Sequence, residues 1–451
     1  DLKAAVQAHD PDMVFFAGDQ FYEYGLEGIE RSPPQTAYLD HLYHWYRFMW
    51  AFGDLTRNMP SVAIPDDHDV YHGNIWGEGG KPAVGTFEPQ HDNGGYIMDP
   101  DWVNAVHRTQ TSHLPDPVDP TPIKQGISVF YTDMNYAGLS FAVIADRMWK
   151  SAPRPLLPQA QIWNGWIENP EYDPYDSDVA NATLLGERQL EFLEDWTSDW
   201  SDNTWMKVVL SATPFNNIAT LPQHATNDSV VPELVYPEEG EYLAGDKLVA
   251  DMDSNGWPQS GRNSALKTIR KGFAFHVAGD QHLSSFIQYG VDDWRDAGFA
   301  FVSPAIANYW PRRWFPPKAG GNRDEGSPAY TGDHLDGFGN KMTVHAVANP
   351  LRSGREPAAL YDRSPGYGIV RFRRSDRTIT SESWPRWVAP SAADAQQYPG
   401  WPITVRQEQN YGRAAVAYLP TLKITGSDNA IVQVFNETTD EIEYTLRISG
   451  T

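Results

Sequence analysis

Three apolar segments of this chain each end in acidic residues or histidine, and this repeated ending constrains the fold more than any other feature. The segments lie within FFAGDQFYEYG (15–25), IPDDHD (64–69) and VAGDQH (277–282). A turn accounts for a glycine and an acid after one strand, but not for a similar ending three times. In α/β folds the carboxyl ends of strands converge on one crevice. The pattern therefore predicts a polar site built from strand ends.

Strand-like segments alternate with amphipathic helices along much of the chain, which predicts an α/β fold. NYAG, between SVFYTDM (128–134) and LSFAVIAD (139–146), is typical of a hairpin turn. Residues 72–127 are rich in Gly, Pro, Asn and Asp and are interpreted as loops and short helices. The later segments are mostly β, so we expect two packed mixed β-sheets flanked by helices, with more antiparallel pairing in the second half. The main predicted helices span 36–52, 184–200 and 264–272.

A change in composition at PSAADAQQYPGWP (390–402) predicts a boundary. Beyond it, TLKITG (421–426) and AIVQVFNETTDEIEYTLRI (430–448) alternate as hairpin strands do. About 50 residues provide too few strands for an independent sandwich. We therefore predict a main domain at 1–390, a linker at 391–402 and a small, incomplete β-strand module at 403–451.

The chain is strongly acidic, with 35 Lys and Arg against 59 Asp and Glu and a formal net charge of −24. Such a surface repels nucleic-acid backbones and anionic membranes, so neither is an expected partner. No apolar run reaches the roughly 18 residues that a membrane span needs. The absence of cysteine excludes disulfides, thiolate metal ligands and cysteine nucleophiles. An acidic protein that handles an anionic substrate needs local positive charge, and metal ions can supply it.

The strand-end residues themselves favour metal binding. Clustered carboxylates repel one another, and multivalent cations make such a cluster favourable. A phenolate beside carboxylates and imidazole suits a hard cation such as iron(III), whereas carboxylates with amides suit calcium.

The motifs GDxxY, DDHD and GDxH, which begin at Gly18, Asp66 and Gly279, together resemble the calcineurin-like metallophosphoesterases. DDHD stands where that superfamily usually has GNH[DE], and GDxH where it has GHxH. This variant set is most similar to the PhoD-like alkaline phosphatases. DRMW (146–149), LLGERQLEFLEDWT and FGNKMTVHAVANP also look like that family. The resemblance covers roughly residues 1–390 and implies a metallophosphoesterase-like α/β/β/α sandwich.

The resemblance implies a centre of two or more metal ions, iron(III) and calcium first, with zinc and manganese as alternatives. The first aspartate would bridge two metals, while the tyrosine and the last histidine would bind the iron-type metal. The other acids and an asparagine would bind the second metal, although that asparagine could instead simply cap a turn. The implied ligands are Asp19, Tyr22, Asp67, Asn74, Asp280 and His282.

Two further residues would act on the phosphoryl group. By resemblance, His68 would hydrogen-bond the transferring group or protonate its leaving oxygen, and Arg147 would clamp phosphate by bidentate hydrogen bonds. An alternative for Arg147 is an ion pair with Asp146. WPRRWFPP (310–317) would rim the mouth of the site or form a packed loop with surface charges. The implied activity is hydrolysis of phosphate esters, of the alkaline phosphatase or phosphodiesterase type, by a metal-bound hydroxide at a dinuclear site.

The chain departs from the family pattern in two places. The first family motif, a strand ending in an aspartate or cysteine ligand, would precede residue 1, so we expect that strand and ligand to be missing. The predicted strand at 205–213 ends in SATPFNN, without the histidine found there in many metallophosphoesterases. This fits the PhoD-like branch, and Asn216 is an alternative to that histidine. The missing first motif and the C-terminal β module favour an alternative, a calcium-binding extracellular structural or adhesion protein with a degenerate phosphatase site. The intact GDxxY, DDHD and GDxH motifs favour the enzyme. For the enzyme, we expect a small-molecule or polymeric phosphate ester as substrate and a secreted, periplasmic or cell-surface location.

Overall fold

An eight-stranded mixed sheet lies at the centre of the computed structural model, which describes residues 2–23, 28–84, 90–418 and 420–448. The α-helices of these ranges are α1 (Leu2–Gln7), α2 (Pro34–Thr56), α3 (Pro100–Thr111), α4 (Pro153–Leu156), α5 (Glu187–Ser198), α6 (Gln259–Arg270) and α7 (Ala358–Tyr361). Among these described helices, none has both the length and the apolar character needed to cross a membrane.

The strands are short, and most lie in the second half of the chain. Those of the first half are β1 (Val14–Phe16), β2 (Ser61–Ala63), β3 (Thr132–Tyr136), β4 (Leu139–Val143), β5 (Ile162–Trp163), β6 (Trp166–Ile167), β7 (Met206–Leu210) and β8 (Thr220–Pro222). The later ones are β9 (Asp246–Leu248), β10 (Phe275–Ala278), β11 (Ser285–Tyr289), β12 (Phe299–Val302), β13 (Gly332–Leu335), β14 (Lys341–Val347), β15 (Gly366–Arg373), β16 (Thr378–Pro385), β17 (Ile403–Arg406), β18 (Ile431–Asn436) and β19 (Glu441–Arg447).

The large sheet has the strand order β13-β14-β11-β12-β10-β7-β4-β3. Its middle strands β4, β7, β10 and β12 are parallel, whereas β3, β11, β14 and β13 pair antiparallel. Strands β4, β7 and β11 are buried on both faces, which explains their largely apolar sequences. The parallel strands bring several carboxyl ends to one edge of the sheet. A separate parallel pair, β1 and β2, supplies two more strand ends.

Both faces of the large sheet are covered. On one face, Lys207 of β7 donates a hydrogen bond to the carbonyl oxygen of Trp196 in α5 (2.6 Å). On the other face lies a three-stranded sheet of β15, β16 and β17, where the ring of Phe372 is 6.3 Å from that of Phe275. Helix α1 packs on this second sheet through Ala5. The layers are therefore helix, sheet, sheet and helix, which confirms the predicted fold class.

Several elements that the sequence predicts are present. Helices α2 and α5 occupy the predicted segments, and α6 begins five residues before the predicted one. The NYAG turn joins β3 to β4, and positive φ at Ala137 (53°) and Gly138 (77°) suits the right-handed twist of a two-residue hairpin. The loop-rich stretch 72–127 also contains a 12-residue helix, α3, whose buried face includes Trp102 and Val106.

The C-terminal residues differ from the sequence prediction in one respect. The predicted strand TLKITG is wrong, because residues 421–426 have no strand conformation and Leu422 is 69% exposed. Alternation alone does not make a strand where no neighbouring strand pairs with it. Strands β18 and β19 form the predicted hairpin. Strand β17 pairs with β16 of the preceding region, and the division of the chain at 391–402 stays a prediction.

Candidate metal centre

Most of the predicted site residues follow the carboxyl ends of strands. In chain order, these are Asp19 after β1, Asp67 and His68 after β2, Arg147 after β4, and Asp280 and His282 after β10. Three of them, Asp19 (52°), Asp280 (60°) and His282 (54°), have positive φ. This conformation is costly for residues other than glycine and often marks functional sites, where the surrounding structure holds it in place.

Two overlapping groups of ligand atoms lie at these strand ends. Atoms of Asp19, Asp67 and His68 lie within 4.8 Å of one another, and so do atoms of Asp66, Asp67 and Asp280. Asp67 belongs to both groups, whereas the resemblance gave the bridging position to Asp19. Since each carboxylate has two oxygens, one side chain can serve two cations.

Tyr22 and His282 lie beside the first group. The Tyr22 hydroxyl is 3.2 Å from His282 Nε2, and its ring centroid is 4.1 Å from that of His68. His282 Nδ1 lies 2.7 Å from the carbonyl oxygen of Trp310. Because that carbonyl requires a donor, Nδ1 carries the proton and Nε2 keeps its lone pair. An imidazole oriented in this way can ligate a metal through Nε2.

His68 is oriented by a buried glutamate that the sequence analysis did not single out. His68 Nδ1 lies 2.5 Å from Glu23 Oε2, and Nε2 lies 3.9 Å from Asp67 Oδ2. Burial lowers the pKa of His68, but Asp19 and Glu23 outweigh it and raise the pKa to about 9. The fold thus favours an imidazolium ion with one N–H on Glu23 and the other directed towards the carboxylates.

Arg147 is buried among carboxylates. Its Nε lies 2.7 Å from Asp66 Oδ1, its Nη1 lies 2.5 Å from Asp253 Oδ1, and its Nη2 lies 3.3 Å from Asp280 Oδ2. Asp146, the alternative partner considered from the sequence, instead accepts hydrogen bonds from the Thr213 backbone and the Asn255 side chain. Arg147 therefore holds several site carboxylates in place, and its contact with phosphate stays a prediction.

Asn74 lies on the flank of this cluster. Its Nδ2 donates to Asn164 Oδ1 (3.3 Å). A Cβ atom placed on Gly165 would lie 3.1 Å from Asn74 Nδ2 and 2.9 Å from Asp251 Oδ1. The hydrogen bond described for Asn74 thus joins it to Asn164, on the side of Gly165 and Asp251, and its role as a ligand stays a prediction.

The electrostatics of the cluster favour bound cations. Burial raises the pKa of Asp19 to about 6, with His68 opposing and Asp280 adding to the rise. Burial and then repulsion from Asp19 and Asp66 raise the pKa of Asp67 well above its ordinary range. Burial and Asp19 likewise raise the pKa of Tyr22, although 38% of this residue is exposed, so Asp19 is the better supported cause. Ionising these groups together is costly unless multivalent cations neutralise them, and their oxygen donors suit hard metals.

A fully buried carboxylate, Asp69, joins the first two strand ends. Its Oδ2 accepts from the backbone N–H groups of Asp19 (2.8 Å) and Asp66 (2.9 Å). Its Oδ1 accepts from the backbone N–H of Gln20 (3.2 Å) and from the side-chain amide of Gln110 (3.0 Å). Asp69 thereby fixes the loops that carry Asp19 and the DDHD motif at a defined separation.

Four acids that build this site had no role predicted from the sequence. Asp66 and Asp69 belong to the DDHD motif, so the motif itself was a usable signal. Glu23 follows Tyr22 directly. No helical or strand pattern around it predicts the contact with His68. Asp253 lies in the loop MDSNGW, for which no motif was available.

The chain has recognisable relatives. A family model described as PhoD-like phosphatase matches residues 2–311. No curated protein matches the chain significantly. Solved structures with similarity include PhoD (14% identity, TM-score 0.49, covering 94% of this chain and 70% of that chain). A purple acid phosphatase from yellow lupin (Lupinus luteus) seeds is 13% identical (TM-score 0.41, 94% of this chain, 52% of that chain). A dimetal phosphatase from Danio rerio is 8% identical (TM-score 0.42, 90% and 88%). Because the family model spans more than half of the chain, including all three strand-end motifs, the chain belongs to the PhoD-like phosphatase family.

Proposed function

We propose that this chain hydrolyses phosphate esters at a dinuclear metal centre built on Asp19, Asp67 and Asp280. Membership of the PhoD-like phosphatase family supports metal-dependent phosphoester hydrolysis. The observation that carries the dinuclear proposal is the position of Asp67, whose carboxylate lies within 4.8 Å of a ligand atom of Asp19 in one group and of Asp66 and Asp280 in the other. We propose iron(III) on the side of Tyr22 and His282 and calcium on the carboxylate side, with zinc and manganese as alternatives.

Bound metals would supply a water of lowered pKa and would offset negative charge on the phosphoryl oxygens. The residues of the chain have complementary tasks. Glu23 orients His68 through Nδ1, and Asp19 and Glu23 together raise its pKa, so that His68 can donate a proton from Nε2 to the leaving oxygen. Arg147 prevents the carboxylates from moving apart, because its guanidinium contacts Asp66 and Asp253 at the same time.

Hydrolysis of aryl phosphate monoesters and diesters, with and without a chelator, tests this function. We expect hydrolysis that chelation abolishes and metal restores. His68→Ala should lower kcat by about 10²–10⁴-fold at unchanged metal content, the usual range for loss of a general acid. His224→Ala is the control, because His224 is exposed. A protein that binds calcium and hydrolyses neither ester would instead be the structural or adhesion protein.

The substrate and the location remain part of the proposal. We propose a small-molecule or polymeric ester as substrate, and the ratio of monoester to diester hydrolysis would separate a phosphatase from a phosphodiesterase. We also propose a secreted, periplasmic or cell-surface location, which fractionation of expressing cells would test. Activity confined to the cytoplasmic fraction would contradict it.

A further inference from the structure

Arg312 lies in the segment after β12 that borders the metal centre. Just before it, the carbonyl oxygen of Trp310 accepts the hydrogen bond from His282 Nδ1, and the Trp310 indole donates to Asp228 Oδ2 (2.7 Å). These two contacts hold the backbone beside a proposed metal ligand. The charge of Arg312 also acts on that ligand, since burial first and Arg312 second lower the pKa of His282 to about 4.

Within the described part of the chain, Asp251 is the one carboxylate that the guanidinium of Arg312 contacts at hydrogen-bonding distance. Its Nη2 lies 2.5 Å from Asp251 Oδ2, and its central carbon lies 5.4 Å from the centroid of the Trp166 ring. Its other terminal nitrogen, Nη1, is buried and has no hydrogen-bond partner among the described residues. A buried charged N–H without an acceptor is unfavourable, and a ligand that brings an acceptor would remove the cost.

Arg147 provides a direct comparison within the same site. All three of its guanidinium nitrogens lie within hydrogen-bonding distance of Asp66 or Asp253. Binding a substrate oxygen through Arg147 would therefore require one of these contacts to be shared or broken. Arg312 can bind one through Nη1 while Nη2 keeps its contact with Asp251.

We propose that Arg312 is a substrate-binding residue whose Nη1 donates a hydrogen bond to an oxygen of the phosphoryl group. This inference rests on the proposed function, because the proposed hydrolysis of phosphate esters is the reason for naming a phosphoryl oxygen as the acceptor. The unpartnered donor is a separate observation. Arginine suits this task because its planar fork binds a carboxylate and a phosphate oxygen through different nitrogens at the same time. Lysine has no such fork, so it would not reproduce the arrangement.

The test uses the metal-loaded full chain and inorganic phosphate as the probe, measured by isothermal titration calorimetry and as a competitive inhibitor. Arg312→Gln should weaken phosphate binding about 10- to 100-fold, the effect of one charge-assisted hydrogen bond, and should raise KM for an aryl phosphate. Arg312→Lys should recover only part of the loss. Arg386→Gln is the matched control, because Arg386 donates to the Ile306 carbonyl of the same segment from an exposed position.

Metal content and thermal midpoint are measured for every variant, so that a binding role can be separated from support of the fold. Phosphate binding within twofold of wild type in Arg312→Gln would overturn the inference. Loss of metal or of folding in both Arg312 variants would overturn it in favour of a structural role. If wild type hydrolyses the ester and Arg312→Gln has the same KM and phosphate affinity, this inference alone is overturned. If phosphate binding depends on Arg312 but the wild type hydrolyses no ester, the proposed function alone is overturned.

Discussion

Replacing Asp69 by asparagine should disable the metal centre without touching any proposed metal ligand. The Asp69 carboxylate accepts four hydrogen bonds, two on each oxygen, and three of the donors are backbone N–H groups of the two loops that carry the site. Asparagine has nearly the same shape but only one oxygen. Its NH₂ group must face either the pair Asp19 and Asp66 or the pair Gln20 and Gln110.

The size of the effect follows from counting donors. The new amide keeps the two shorter backbone bonds if its oxygen faces Asp19 and Asp66. Gln110 can then turn its own amide, whose Oε1 is buried without a partner among the described residues, and accept from the new NH₂ group. The N–H of Gln20 is left unpaired, at about 1–3 kcal/mol, and the remaining bonds lose their charged acceptor, at roughly 1 kcal/mol. We therefore expect Asp69→Asn to destabilise the fold by about 2–4 kcal/mol.

Urea unfolding followed by tryptophan fluorescence, in the presence of a chelator, measures this loss apart from metal binding. Asp69→Ala leaves all four donors without their acceptor and should cost more than Asp69→Asn. Both variants should also bind metal more weakly, because the loops of Asp19 and Asp67 are no longer held at a fixed separation. Asp40→Asn is a control for the loss of one carboxylate, since Asp40 accepts a hydrogen bond from the Tyr71 hydroxyl and is not one of the acids of the metal centre. Wild-type stability and metal affinity in Asp69→Asn would refute the reasoning.

The remaining predictions concern pH dependence, proton transfer and metal identity. His276 is buried, and burial lowers its pKa to about 3 from 6.5. Below pH 6.5 the imidazole of His276 takes up a proton in the unfolded chain but not in the folded one, so its contribution to stability should fall by about 2 kcal/mol between pH 8 and pH 5. In urea titrations, the change in stability over this range should differ by about that amount between wild type and His276→Gln, and an identical change in both would contradict this. Glu23→Gln should lower kcat at least about tenfold at unchanged metal content. It should also move the alkaline limb of the pH–rate profile to lower pH, since Glu23 raises the pKa of His68; an unchanged profile would contradict this. If iron(III) is bound, Tyr22→Phe should remove or shift a visible absorption band. A colourless, fully active protein with only zinc or calcium would exclude iron.

The fold was largely predictable because its signals are repeated along the chain. Helix α5 shows its buried face at helical spacing, and the hairpin of β3 and β4 has a turn sequence of its own. The convergence of Asp19, Asp67 and Asp280 also followed from a general rule about strand ends rather than from any one residue. Such rules apply before side-chain positions are known.

The rest of the site depends on tertiary contacts that leave no local pattern. Glu23 and Asp253 lie in loops, where side-chain periodicity carries no information about neighbours. For Arg312, the sequence offered only the alternative that WPRRWFPP rims the mouth of the site. Each becomes significant only because another loop approaches it, as Asp253 shows by contacting Arg147 from 106 residues away. The strand prediction for TLKITG was wrong for the same reason, since a strand needs a pairing partner that its own sequence does not specify.

The distance in sequence between Tyr22 and His282, 260 residues, also has a consequence for how the protein folds. The first two strands are synthesised long before β10, so a growing chain carries the acids of DDHD without the residues that complete their site. Closing so long a loop is entropically costly and is completed only when the central sheet forms. Metal uptake should therefore follow sheet formation, and the bound ions would then favour the finished fold over partly folded states.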